Sequence, residues 1–303
     1  MELNFKSDIK YWLDSLEKLE PIPTDFCPNL KVNTPVKAVI FDIYGTLIIS
    51  SSGDIDQASM TTDSMQKALK AGGFEDSNLD HSVYSFLLKQ LPVQIGIHHA
   101  ELKAKGHPYP DVDILRVWNE MFAEADKKAL LKRTGNESLA DTIMVFELLS
   151  NKVYPMPGMK EVLFHLKAKG IPIGIVSNAQ FYTPIIMNYF LTGEFSAKQD
   201  IELFDSELSV YSFKELRAKP DVKLFDKIKT TLTKKYNLNP KDAIFVGNDM
   251  LKDVSTAQNS GLGTALFSGD KRSLRIREGD QRVKGIFPDY FVTDLKQILQ
   301  IVS

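Results

Sequence analysis

Ten residues, AVIFDIYGTL at positions 38–47, limit what this chain can fold into more than any others. Four consecutive apolar side chains run into Asp42, and two residues later comes Tyr44-Gly45-Thr46. An uninterrupted apolar run is a strand buried on both faces, the pattern of a parallel sheet covered by helices. A carboxylate at the end of such a strand stands where open α/β sheets place their sites, outside the carboxyl ends of the strands. Gly45 permits a sharp exit, because glycine adopts backbone angles closed to other residues. Taken alone, the segment also fits a buried strand capped by an aspartate before a turn.

The rest of the chain repeats this pattern, with one interruption. Residues 4–19 carry Trp12, Leu13, Leu16 and Leu19 at helical spacing and predict an amphipathic helix, followed by a proline-punctuated linker from Pro21 to Pro35. The first strand is expected from Val36 to Asp42. Residues 48–150 are rich in helical patterns, at 62–72, 82–91, 111–123 and 137–149, and poor in strand patterns. Tyr154 to Gly158 reads as a turn and the next helix stops at Gly170. Strands are then expected at 171–178, near 203–212, and at 243–249, 264–267 and 290–293. Helices separate them near 181–191, at 221–236 and up to Asn259, with a last one at 294–301. This alternation predicts an α/β fold with a Rossmann-like parallel sheet and right-handed crossovers. The expected domains are an N-terminal helix and linker packed on the core (1–35), the sheet core (36–49 and 151–303) and an inserted helical unit (50–150).

Charge and composition remove several function classes. Lys plus Arg is 37 and Asp plus Glu is 39, a net charge of -2. That balance gives no support for binding nucleic acid or an anionic membrane. The single cysteine, Cys27, allows neither an intrachain disulfide nor a cysteine-based zinc site. The N-terminal residues carry charges throughout and lack the apolar stretch of a signal peptide, and no run of about 18 apolar residues could span a bilayer. The expectation is a cytoplasmic monomer or homodimer acting on a small, anionic molecule.

Two further strands end as the first does. IPIGIVSN delivers Ser177 and Asn178, and AIFVGND delivers Asn248 and Asp249, with Asp253 one helical turn on. Lys219-Pro220 precedes a helix. If the strands are parallel neighbours, these groups converge at one edge of the sheet. The ordered set FDIYGTL, IVSN, Lys219-Pro220 and VGNDMLKD resembles the four motifs of the haloacid-dehalogenase-like (HAD) hydrolase superfamily, over about Val36 to Thr293. The resemblance identifies the inserted helices as a C1 cap.

The resemblance implies covalent catalysis, with Asp42 as the nucleophile that forms an aspartyl intermediate. It assigns Ser177 and the Asn178 backbone to the transferring group, and Lys219 to charge balance beside Asp42. Gly45 and Thr46 belong to the first motif. Asp42, Tyr44, Asn248, Asp249 and Asp253 become the candidate Mg²⁺ ligands, oxygen donors of the hard kind this ion prefers. Two features point in different directions. Most phosphatases of the family carry an aspartate where Tyr44 stands, and Asp-x-Tyr-Gly-Thr is the dehalogenase pattern. A tyrosine is a poor base at neutral pH, whereas a halide leaving group needs no proton. The spacing from Asn248 to Asp253 matches the phosphatase form of the fourth motif. The expectation is therefore a Mg²⁺-dependent phosphatase of a small metabolite, with a metal-free 2-haloacid dehalogenase as the alternative and a non-catalytic binding module as the third reading.

Other features carry less. His98-His99 reads as cap surface histidines, since adjacent residues on a helix point about 100° apart. The loop Gly106 to Asp111 is a candidate lid contact. Arg116, the first arginine after Leu47, is a candidate for a substrate anion, and Trp118 reads as core. Segment 271–284 interleaves Lys271, Arg272, Arg275, Arg277, Arg282 and Lys284 with Asp270, Glu278 and Asp280, and reads as a solvated loop. The resemblance implies a flap at the site entrance over Ser50 to Asp54, a stretch whose residues alone read as a polar loop.

Overall fold

The computed structural model describes residues 3–31, 35–51, 60–75 and 79–302. Eight strands are defined among them: β1 (Ala38–Phe41), β2 (Ile48–Ser50), β3 (Val153–Pro155), β4 (Ile173–Ser177), β5 (Ser209–Tyr211), β6 (Ala243–Gly247), β7 (Gly263–Phe267) and β8 (Tyr290–Val292). Six of them form one sheet in the order β5-β4-β1-β6-β7-β8, every pair parallel. β1 lies at its centre, with Val39 opposite Ile173 on one side and Ile244 on the other. All side chains of β1, β4 and β6 are buried, as two-faced coverage requires.

Helix α1 (Ile9–Asp14) precedes the sheet, and α2 (Thr62–Ala71), α3 (His81–Ala104), α4 (Ile114–Lys127) and α5 (Leu139–Ser150) fall between β2 and β3. The helices α6 (Met159–Ala168), α7 (Tyr182–Thr192), α8 (Ser212–Glu215), α9 (Asp226–Tyr236), α10 (Thr256–Asn259) and α11 (Ile298–Ile301) connect or follow the later strands. The inserted helices begin at side-chain caps, Thr61, Asp80, Asp113 and Ser138, each satisfying backbone N–H groups that a helix start leaves unpaired. Their core holds Trp118, 1% exposed and edge-on to Phe122 and Phe146 with ring centroids 5.6 and 5.2 Å away. Truncating a core aromatic of this kind costs about 3–5 kcal/mol.

Several local expectations change. Helix α3 continues through Pro92, because its buried stripe runs on from Leu87 and Leu91 to Gln94 and His98 at steps of three and four. Of the residues read as a turn at 154–158, Tyr154 and Pro155 instead belong to β3, which pairs antiparallel with β2, Ile49 opposite Tyr154, while Pro157 and Gly158 form the turn. This pair is the stem on which the chain leaves and re-enters the core. The expected strand at 203–212 shrinks to Ser209–Tyr211 behind a 3-10 turn at Ser206–Leu208. The first turn of the expected 221–236 helix is 3-10, over Val222–Phe225. Helix α1 is shorter than its apolar pattern, and its entry is fixed to the inserted helices as well as to the core. Buried Asp141 of α5 accepts from the Lys6 and Ser7 N–H groups, both at 2.9 Å. The linker then follows the β7–β8 edge, where Asn29 donates to the Phe291 carbonyl at 2.9 Å. Residues 52–54 of the expected flap lie outside the described residues, and Ile48–Ser50 are strand.

Candidate active site

The carboxyl ends of β1, β4 and β6 lie side by side, so the residues that follow them share one rim. Asp42 leaves β1 with its N–H donating to the Val246 carbonyl of β6 at 2.9 Å. Its Oδ1 lies 2.9 Å from Lys219 Nζ, and the same ammonium lies 2.6 Å from Asp253 Oδ1. Lys219 and Asp253 are buried, 2% and 1% exposed. Burial works against the Lys219 charge, but the carboxylates of Asp253 and Asp42 outweigh it and hold the amine above its ordinary range. Burial lifts the Asp253 carboxyl to about 7, against the pull of Lys219, and the neighbouring charges of Asp42 and Asp249 push the same way. The ring of Phe245 lies beneath the ammonium, 5.0 Å from Nζ to centroid, a cation–π contact from β6.

Asn178 fixes the backbone of Lys219. Its Oδ1 accepts from the Lys219 N–H at 2.7 Å and its Nδ2 donates to the Lys219 carbonyl at 3.3 Å. The side chain at the end of β4 is thus a bracket for the lysine. The hydroxyl of Ser177 is buried with no hydrogen-bond partner among the described residues. An unpaired buried hydroxyl is costly, so a ligand group that satisfies it gains that energy back.

The first-motif turn is packed against the loop that follows β7. Gly45 has φ +78°, and a Cβ there would stand 2.6 Å from Ser273 Cβ and 2.8 Å from Asn248 Nδ2. Thr46, fully buried, donates from Oγ1 to Asn248 Oδ1 at 3.2 Å, and Asn248 Nδ2 donates to the Ser273 carbonyl at 2.6 Å. Tyr44 is half-buried with Oη 3.0 Å from Thr183 Oγ1 of α7. Burial of that hydroxyl, then the charge of Glu147 in α5, raise its pKa well beyond the ordinary phenol range, with the Thr183 hydrogen bond opposing. It stays protonated at neutral pH.

Asp249 caps the turn Met250–Ser255, accepting from the Leu251 and Lys252 N–H groups at 2.8 and 3.1 Å. Its carboxylate also receives Arg277, through Nε to Oδ1 at 3.1 Å and through Nη2 to Oδ2. Burial opposes ionisation of Asp249, and Arg277 with the Lys252 and Leu251 N–H groups overcomes it, leaving the carboxyl below its ordinary range. Asp253 Oδ2 accepts from the Asp249 N–H at 2.9 Å. That approach needs Gly247, where a Cβ would stand 2.4 Å from Asp253 Cγ.

For a divalent cation the donor set is therefore narrow. Asp249 and Asp253 have their oxygens on Arg277, Lys219 and backbone N–H groups. Among the described residues no three His, Cys, Asp or Glu side chains are gathered around one point. The remaining hard oxygens are Asp42 Oδ2 and Asn248 Oδ1, the second of which also accepts from Thr46 at 3.2 Å. This suits Mg²⁺, which binds through one or two protein oxygens and keeps waters or substrate oxygens for the rest.

These groups open on a cavity of about 500 Å³. The inserted helices contribute His99, Lys103 and the loop Pro108–Asp111 to its wall. That loop is joined to the segment before Lys219: Ala218 N–H donates to the Tyr109 carbonyl at 2.8 Å, and Pro110 pairs with Arg217. Gln180 ties the end of β4 to the same insertion, donating to the Val112 carbonyl at 2.9 Å and accepting from the Ile114 N–H at 3.1 Å.

Three expectations are corrected. Arg116 is not on this cavity; its side chain is 60% exposed and pairs with Glu120 at 2.9 Å on a separate cleft. His98 is not a surface residue but 6% exposed, with Nε2 2.8 Å from Glu120 Oε2. Segment 271–284 is not merely solvated, since Ser273, Arg275, Arg277 and Arg282 line the cavity. A positional signal for this existed: the segment follows strand 264–267 and so leaves the sheet at the rim where Asp42 stands.

Among the described residues no helix is long and apolar enough to cross a membrane. The chain is 27% identical over 148 residues to the glyceraldehyde 3-phosphate phosphatase of Pyrococcus furiosus, 49% of this chain and 54% of that protein, so the match spans about half of the relative's length. The crystal structure of a 2-haloacid dehalogenase from Pseudomonas syringae pv. Tomato matches with TM-score 0.54 and 17% identity, over 88% of this chain and 97% of that one, and shares its fold. The L-2-haloacid dehalogenase of Xanthobacter autotrophicus matches with TM-score 0.48 and 16% identity, over 88% and 100% of the two chains. A family profile for haloacid dehalogenase-like hydrolases matches residues 36–261, and the chain belongs to that family.

Proposed function

We propose that this hydrolase is a phosphatase of a small phosphorylated metabolite, acting through a covalent phosphoaspartyl intermediate on Asp42. The observation that carries the reading is the buried chain of charges Asp42–Lys219–Asp253 at the cavity wall, in which Asp42 is engaged through Oδ1. Lys219 engages Oδ1 of Asp42, which leaves Oδ2 to attack phosphorus. As the bond from aspartate to phosphorus forms, the ester P–O bond breaks and the departing oxygen takes a proton from solvent water; a second water then attacks phosphorus, breaks the acyl phosphate bond, and releases inorganic phosphate and a proton to solvent, restoring the carboxylate. Ser177, whose buried hydroxyl lacks a partner, hydrogen-bonds the transferring group. Asn178 acts as a positioning residue through Lys219. Asp42 and Asn248 would hold Mg²⁺, which when bound would supply charge neutralisation at the phosphoryl oxygens. Asp249 and Asp253 act from behind, orienting Arg277 and Lys219. The partial match to a phosphatase supports this reading.

Tyr44 favours a second reading. Its hydroxyl is held by Thr183 and its pKa lies above the ordinary range, so it is a weak proton donor and no base at neutral pH. A leaving group that needs no proton, such as a halide, suits it. The test is turnover of an aryl phosphate with and without Mg²⁺, in the parent and in Asp42→Asn. Phosphate release that is Mg²⁺-dependent and falls at least about a thousandfold in the variant supports the phosphatase. Metal-independent halide release from a 2-haloacid supports dehalogenation. Neither activity leaves a binding module that retains the scaffold.

A further inference from the structure

We propose that Gln180 is a positioning residue: it locks the loop Tyr109–Asp111 of the inserted unit onto the core, and that loop holds the segment from which Lys219 reaches Asp42. The kinetic arm of the test rests on the phosphatase reading; the contacts do not. Gln180 lies just beyond the end of β4 on the cavity wall and is 8% exposed. Its amide spends both ends on the inserted unit. Nε2 donates to the Val112 carbonyl at 2.9 Å and to Asp111 Oδ1 at 3.4 Å, and Oε1 accepts from the Ile114 N–H at 3.1 Å. Ile114 opens α4, so its N–H has no acceptor within its own helix. A core side chain thus completes the start of an inserted helix, and all three of these hydrogen bonds cross from core to insertion.

The other half of the connection runs through the backbone. Ala218 N–H donates to the Tyr109 carbonyl at 2.8 Å, the Asp111 N–H donates to the Leu216 carbonyl at 3.3 Å, and Pro110 pairs antiparallel with Arg217 between them. Leu216 stands at φ +50°, a left-handed conformation that is unfavourable for leucine and persists where neighbours hold it. Lys219 is the next residue after Ala218, and its N–H donates to Asn178 Oδ1 at 2.7 Å. Asn178 and Gln180, both from the rim behind β4, therefore close one ring of contacts: Asn178 to Lys219, Ala218 to Tyr109, and Val112 back to Gln180. The main chain of the lysine is gripped directly by the core and indirectly through the insertion. Opening the Gln180 contacts leaves the ring tied at Asn178 alone, and the ammonium that stands 2.9 Å from Asp42 loses part of its base. Catalytic groups need placement this fine, because a displacement of about 1 Å costs about a hundredfold in rate.

The test replaces Gln180 in two ways. Gln180→Met keeps the length of the side chain and removes all of these hydrogen bonds; Gln180→Glu at neutral pH can no longer donate to Val112 and meets Asp111 with like charge. In both variants kcat for an aryl phosphate is expected to fall at least about tenfold, with KM within about threefold of the parent. Deuterium exchange of the ligand-free protein, followed by mass spectrometry, is expected to rise in peptides covering 109–116 and 216–219 and to keep its parental level in those covering 38–41 and 243–247. A raised KM with unchanged kcat makes Gln180 a substrate contact and overturns the proposal. A fall in kcat without added exchange at 216–219 overturns it as well, and so does no change in either. If neither variant folds, amide-resolved exchange in the parent decides: Ile114 and Ala218 are expected to exchange through one common opening, with less protection than the Asp42 amide on the sheet, and independent openings overturn the ring. If the parent turns over no aryl phosphate, the phosphatase reading fails and the exchange result alone decides whether Gln180 holds the Lys219 segment.

Discussion

Lys219→Met tests the charge chain on which the proposed chemistry depends. The ammonium lies 2.9 Å from Asp42 Oδ1 and 2.6 Å from Asp253 Oδ1, and the lysine and Asp253 side chains are each 1% exposed. At an effective dielectric near 20, unit charges at such separations attract by about 6 kcal/mol. Desolvation of each ion costs several kcal/mol, so the net worth of the pair is much smaller than that attraction. Removing one partner is a different matter, because it strands the other charge. Here it leaves the Asp42 carboxylate unpaired and the Asp253 carboxyl, already lifted to about 7, without its cation, and the expected loss is about 3–5 kcal/mol, a large share of the total stability of an ordinary domain. Asp253→Asn is milder: Lys219 keeps Asp42, and the amide oxygen can still accept from the Asp249 N–H. About 1–2 kcal/mol is expected. In the double variant one stranded carboxylate is already gone, so its loss falls short of the two single losses combined by at least about 1 kcal/mol. Urea unfolding of the four proteins at neutral pH measures this, with equal slopes required for the comparison. Additivity within about 0.5 kcal/mol would refute the argument, since it would mean that Lys219 and Asp253 do not act on each other.

Two further outcomes are expected. Gly45→Ala places a Cβ 2.6 Å from Ser273 Cβ at φ +78°, so it loses about 1–3 kcal/mol in thermal unfolding and lowers kcat; unchanged values of both would refute the close seating of the first-motif turn on the 273 loop. Asp205 joins the β5 edge to α9, meeting Lys235 Nζ at 2.9 Å, the Glu207 N–H at 2.8 Å and the Tyr236 hydroxyl. Burial opposes its charge, but these partners hold the carboxyl below its ordinary range. Its stabilisation is therefore present above the unfolded carboxyl value of about 4 and is lost as pH falls through the lower folded value. Asp205→Asn should cost about 1–2 kcal/mol at pH near 7 and progressively less below pH near 4, and a difference that does not change with pH would count against the ion pair.

The central sheet was legible because its signal is local. Each of Ala38–Phe41, Ile173–Ser177 and Ala243–Gly247 is a short apolar run between turn residues, and burial on both faces follows from that pattern alone. The lining of the cavity by Asp42, Asn178, Lys219, Asn248, Asp249 and Asp253 follows from the same strands being parallel neighbours. What the pattern misses is pairing at a distance. The β2–β3 stem joins residues about a hundred positions apart with three residues on each side, too short for a periodic signal. Helix α3 passes Pro92 because the buried stripe through His98 outweighs a local breaker, a tertiary effect absent from propensity. Arg116 failed as a site residue for a related reason: an arginine's place on a helix is readable, but the neighbour that takes its charge, here Glu120, is chosen by the rotation of the helix against its partners.

The loop after β7 carries the main lesson about charge runs. By composition it is a mixed-sign surface segment, and in isolation that reading is sound. Its residues divide by what the sheet brings to them. Asp280 takes Arg282 and Asp270 takes Arg272, both within the loop, as a solvated segment would. Arg277 instead leaves the run to meet Asp249, 28 positions earlier, and in doing so occupies a carboxylate that the fourth motif otherwise offers to a metal. The same contact that narrows the donor set to Asp42 and Asn248 also anchors the arginines along the cavity. One ion pair thus both withholds the Asp249 carboxylate from a metal and seats Arg277 on the cavity wall, and Arg277→Leu would release both together.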